Sequence, residues 1–103
     1  LTIVELIAHF WRFAKRHYVK NGRPTDEQAS IKSAMRFVKE LYEKTPAAQF
    51  GPLALKAVRQ KMIDAGWCRT TINSAVGRIR RMFRWAASEE LLPVTAYQAL
   101  ATV

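Results

Sequence analysis

A single cysteine, Cys68, is the only thiol in the 103-residue chain. It cannot close an internal disulfide or supply a cysteine-based zinc site, and it fits a reducing compartment. Four glycines and four prolines are too few for a collagen-like or linker composition. Eight acidic residues against 17 lysines and arginines exclude an acidic tail and leave a formal charge of +9. No run of 18 apolar residues occurs, so no segment is expected to span a membrane. There is no Walker loop and no Gly-x-Gly-x-x-Gly. His9 and His17 lie eight residues apart, not the four that puts two ligands together on a helix. No metal or cofactor is expected.

What is present is an apolar half, enough for one small core and hence one domain over residues 1–103. The chain opens on Leu1, which predicts a piece of a longer protein. No signal peptide is expected, because Glu5 and His9 interrupt the first apolar run. The reading is cytoplasmic, or nucleoid-associated in a prokaryote.

The periodicity is helical nearly throughout. Ile3, Leu6, Ile7, Phe10, Phe13, Ala14 and Tyr18 repeat at three and four. Thr2 with Glu5 predicts a capping box at the start, and Asn21-Gly22-Arg23-Pro24 predicts the stop. Thr25 with Gln28 reads as a second box, followed by Ile31, Ala34, Phe37, Val38 and Leu41 as the inner face. Thr45-Pro46 ends that helix, and Ala47 to Gly51 forms a connector. Pro52 opens a third helix with Leu55, Val58, Met62 and, at its margin, Ile63 inward; Gly66 closes it. Thr70 or Thr71 is expected to cap a fourth helix running to about Ser88, with Ile72, Ala75, Val76, Ile79, Phe83 and Ala86 buried. Val94 to Leu100 predicts a short fifth helix. Met35, Met62 and Met82 read as core filler. No period-2 strand pattern is seen, so the expected class is all-α, a four-helix bundle with a short C-terminal fifth helix.

The charge is uneven. Arg69, Arg78, Arg80, Arg81 and Arg84 fall between residues 69 and 88 with no acid among them. Stepping about 100° per residue from Ile72 puts Arg81 opposite the core beside Ser74 and Ser88, with Arg78 and Arg84 flanking it. This ridge is expected to face solvent free of carboxylates. Lys32, Arg36 and Lys39 form a second stripe at i, i+4 and i+7. Guanidinium groups fork onto phosphate and guanine edges, and helix N-termini attract phosphate. Side by side, the two helices are expected to form one positive surface for DNA. RNA or an acidic protein satisfies the same charge arithmetic.

The segment Thr70-Thr71-Ile72-Asn73-Ser74-Ala75-Val76-Gly77-Arg78-Ile79-Arg80-Arg81-Met82-Phe83-Arg84-Trp85-Ala86 resembles the last long helix of the core-binding domain of tyrosine recombinases, the phage-integrase family. Val76, Gly77, Ile79, Arg80, Phe83, Trp85 and Ala86 occupy that family's pattern. Ser88-Glu89-Glu90-Leu91-Leu92-Pro93 resembles the polar turn and proline that follow it, and Ile3 to Tyr18 resembles the family's first helix. The resemblance implies a SAM-like four-helix fold that forms one jaw of a clamp on double-stranded DNA. It also implies a catalytic domain in the same chain and recombinase subunits assembled on DNA as partners. The DNA-facing candidates it carries over are Lys32, Arg36, Lys39, Thr71, Asn73, Ser74, Arg78, Arg81 and Arg84. Thr and Ser near a helix start suit phosphate, Asn73 suits adenine, and arginine suits guanine.

That family's tyrosine, arginines, lysine and histidines belong to a following domain, so no catalytic residue is expected here. His9-Phe10-Trp11-Arg12 mimics the family's His-x-x-Arg spacing, with Tyr42 downstream, but it sits on the first helix and Phe10 is needed for the core. Tyr97 reads as packing, and Cys68 as an ordinary loop thiol. Trp11 and Trp85 fall off the centre of their apolar faces, which predicts that they cover helix junctions, the alternative being that they dock a neighbouring domain or subunit. Two other readings remain open: a free-standing helix-turn-helix regulator, whose turn would be near Gly66 to Arg69, and a helical module whose positive face meets an acidic protein.

Overall fold

Local signals place the helix ends before any packing is considered. The computed structural model describes residues 1–103. Helix α1 spans Ile3–His17. The Thr2 hydroxyl accepts from the Glu5 amide at 3.4 Å and the Glu5 carboxylate accepts from the Thr2 amide at 2.9 Å, the reciprocal box that the sequence predicts. Beyond it, Asn21 and Gly22 both take positive φ, 53° and 75°. Two consecutive left-handed residues make the tight turn that favours a hairpin. Val19–Lys20 (β1) therefore pairs antiparallel with Arg23–Pro24 (β2), a strand pair the sequence reading did not anticipate.

Helix α2 spans Asp26–Tyr42 and runs back along α1. The second capping box does not form. The Thr25 hydroxyl instead donates to the Tyr18 carbonyl at 3.1 Å, and the buried Gln28 amide donates to the same carbonyl at 2.9 Å. The end of α1 holds carbonyls without helical partners, and the two side chains satisfy one of them rather than each other. A short 3-10 turn, Ala47–Gln49, leads to α3, Pro52–Asp64, with Pro52 at its first position. Gly66, at φ 83°, ends α3: its amide bonds the Ile63 carbonyl and the Trp67 amide bonds the Met62 carbonyl.

Helix α4 spans Arg69–Ser88 and α5 spans Val94–Leu100. The cap of α4 is Cys68, not Thr70 or Thr71. Trp67 packs on Phe37 with centroids 5.4 Å apart, so only Cys68 is left to turn the chain, and the helix starts at the next residue. Glu90, at φ 58°, closes α4 with the same pair of bonds seen at Gly66.

These five packed helices, one of them short, enclose a continuous core of 23 buried apolar residues. Phe10, Phe50 and Phe83 are its largest fully buried side chains, and the rings of Phe50 and Phe83 stack at 5.3 Å. All three methionines are buried. Leu41 and Ile63, expected inward, are exposed although their neighbours Tyr42 and Met62 pack on the core: each side chain falls on the outer side of its helix. Trp85 covers the α1–α4 junction, 5.5 Å from Phe10 and 5.3 Å from Phe13. No helix is long and apolar enough to cross a membrane.

Candidate nucleic-acid interface

The periodicity that buries Ile72, Ile79 and Phe83 forces the intervening residues of α4 outward. Ser74, Gly77, Arg78, Arg80, Arg81 and Arg84 line an open groove of about 560 Å³, completed by Tyr97 and Ala101 from the α5 end of the chain. Four guanidinium groups thus converge on one depression. The sequence places Arg78, Arg81 and Arg84 there; Arg80 and Tyr97 enter only because α5 folds back beside α4.

Contrary to the expectation from the helical period, the ridge carries a carboxylate. Glu27, from the first turn of α2, takes a bidentate fork from Arg78: Nε donates to Oε1 at 3.0 Å and Nη2 to Oε2 at 3.1 Å. Arg81 Nη1 donates to the same Oε1 at 2.7 Å and to the Tyr18 hydroxyl at 3.1 Å. The Arg78 hydrogen bond is the main cause holding the Glu27 carboxyl below its ordinary range; Arg81 adds to it and partial burial opposes it. Partial burial works against the charged form of Arg81, and its bonds to Glu27 and Tyr18 outweigh that and raise its pKa. Arg80 donates to the Val103 carbonyl at 2.9 Å. Arg84 is exposed and makes no hydrogen bond or ion pair. Nothing in the sequence marked Glu27, since its partners lie 51 and 54 residues away. Even so, four cations against one carboxylate leave the groove strongly positive.

At the start of α4, Thr71, Asn73 and Ser74 are all exposed. The Thr71 hydroxyl lies 3.1 Å from Cys68 Sγ, and that contact chiefly lowers the thiol pKa. The second stripe lies elsewhere. Lys32, Arg36 and Lys39 line a groove between α1 and α2, together with Ile7 and Trp11. Between this stripe and the α4 arginines runs a trough with Ala29, Ser30 and Ser33 of α2 on one side and Thr71, Ala75 and Arg78 of α4 on the other, with Trp67 at its end. The two stripes thus open on different grooves, linked by this trough across two helices that pack against each other. The helical spacing showed that Lys32, Arg36 and Lys39 share a side of α2; only the packing shows which neighbour that side meets.

Arg12 Nη2 lies 3.0 Å from His9 Nδ1 on the outer side of α1, and Tyr42 stands edge-on to Phe50 at 5.4 Å. The first is an exposed contact within one turn of α1; the second is packing on the core. No cluster of three or more His, Cys, Asp or Glu gathers for a metal ion. Comparison of the chain with protein-family models, with curated proteins and with solved structures finds no match.

Proposed function

We propose that this chain is a duplex-DNA-binding module that grips the phosphate backbone through the outer face of α4. The observation that carries this reading is the convergence of Arg78, Arg80, Arg81 and Arg84 on one open groove containing a single carboxylate partner. Phosphate contacts of this kind give modest, strongly salt-dependent affinity. The exposed Thr71, Asn73 and Ser74 stand one to two turns before the arginines on the same helix and extend the surface for base or phosphate contacts. The resemblance of residues 70–93 to tyrosine recombinases supports a finer reading: a SAM-like core-binding domain that forms one jaw of a clamp. A catalytic domain of the same chain and further subunits on DNA would complete it, and the strand chemistry would lie outside these residues.

A helix-turn-helix regulator is the second reading, favoured by the four-residue turn, 65–68, between α3 and α4. Its recognition residues would sit in the first turns of α4, whereas most of the α4 arginines begin at Arg78. A symmetric dimer on a palindromic site would select it.

The test is fluorescence anisotropy of a labelled duplex across a salt series. Arg84→Ala should weaken binding of every sequence and reduce the magnitude of the log K against log salt slope by about 1. Arg84 has no intramolecular partner, so the loss reports DNA contact alone. Equal binding by wild type and by both Arg84→Ala and Arg81→Ala rules out this face.

A further inference from the structure

The groove between α1 and α2 is chemically unlike the arginine groove on α4. Its floor is Phe10, Ile31 and Met35, and Ile7 and Trp11 form one wall. Lys32, Arg36 and Lys39 form the other wall, and no carboxylate lines it. None of these three cations is ion-paired: Glu40, one residue beyond Lys39, lies 3.9 Å from Lys61 of α3 instead. The Lys32 ammonium rests 4.9 Å from the centre of the Trp11 ring, which keeps the charge at the lip of the groove. The depression holds about 370 Å³.

We infer that this groove is a docking site for an acidic amphipathic helix of a partner protein. Two antiparallel helices leave between them a furrow that accepts the side-chain ridge of a third. An apolar floor rewards Leu- or Ile-type anchors at i, i+3, i+4 and i+7. Three unpaired cations along one lip complement carboxylates flanking those anchors and fix the direction in which the helix lies. Duplex DNA meets only half of this chemistry, because its phosphates satisfy the cations but offer nothing to bury on Ile7, Trp11 and Met35. A planar anionic membrane is held off the floor in the same way. The site is separate from the α4 face, and its reality does not depend on DNA binding there.

The probe is a synthetic peptide of about 16 residues with Leu at the anchor spacing and Glu beside each Leu. Controls are a scrambled peptide and one with Lys for Glu. Binding is followed by the indole N–H resonances, with Trp11 identified by Trp11→Phe. The expected result is a shift of Trp11 and of the Ile7, Ile31 and Met35 methyls, with Trp85 unmoved and neither control binding. Arg36→Gln with Lys39→Gln should weaken the peptide at least tenfold and weaken duplex binding less than Arg84→Ala does, whereas Arg84→Ala should leave the peptide affinity within twofold of wild type. The inference is overturned if Trp11 does not move at millimolar peptide, or if the double variant binds the peptide undiminished. It is also overturned if that variant loses duplex affinity as Arg84→Ala does, which would assign the lip to DNA, or if it loses binding to anionic vesicles but not to peptide. Failure of wild type to bind duplex removes the proposed function and leaves this outcome readable.

Discussion

At Glu27 one carboxylate accepts hydrogen bonds from two guanidinium groups, both of which also line the groove proposed for DNA. It therefore competes with phosphate for Arg78 and Arg81. Glu27→Gln removes the competing charge and keeps the shape. It should bind duplex more tightly than wild type, with a salt slope steeper by up to about one contact, as read by anisotropy. The same change should lower stability by only about 1 kcal/mol, because the pair is partly exposed and solvent screens it. The acid limb of stability follows with a definite sign. The folded Glu27 carboxyl titrates below its ordinary value of 4.5, so its contribution is fully present above pH 4.5 and is lost as pH falls through the lowered folded value. Thermal melts should show Tm falling below pH 4.5, and the fall should be shallower in Glu27→Gln. An equally steep fall in the variant would assign the acid sensitivity to other carboxyls, such as the capping Glu5, which is shifted the same way chiefly by its bond from the Thr2 amide.

The helices owe their boundaries to short-range chemistry, and most of that chemistry was readable. The Thr2–Glu5 box, Pro52 at the start of α3, Gly66 at its end, and the Ser88 and Leu100 limits of α4 and α5 fall where the sequence reading puts them. The misses share a cause. Thr25 and Gln28 have the residue types of a box, but the carbonyl of Tyr18, seven residues before Thr25, outbids the local partner. Thr70 and Thr71 have the residue types of a cap, but Trp67 is pinned on Phe37 and moves the start of α4 to Arg69. Glu90 presents the opposite case: a side chain in the left-handed region where glycine is favoured. Glu90→Gly should stabilise by about 1 kcal/mol, which for a domain of this size raises Tm by about 4–8 °C. An unchanged or lower Tm would mean that the Glu90 side chain makes a compensating contribution.

Across the whole molecule, one core ties α4 to every other helix, so the candidate interface is only as well placed as that core is packed. Phe83 is fully buried and stacks on Phe50. Phe83→Ala should cost about 3–5 kcal/mol, a large share of the roughly 5–15 kcal/mol available to a domain. Urea unfolding should show the midpoint falling accordingly; a midpoint within error of wild type would mean that the core collapses around the gap. The amino-acid sequence by itself determined that the chain is helical, where most helices begin and end, which side of each is apolar, and that α4 carries the excess charge. Those properties depend on residues three or four apart, and the backbone period fixes them. Only the tertiary structure decided that Glu27 meets Arg78 and Arg81, that Arg80 and Tyr97 join the α4 groove, and that Lys32, Arg36 and Lys39 look toward α1. Those outcomes depend on which helix packs against which, and a side chain's partner across 51 residues is set by the order of packing rather than by any local period.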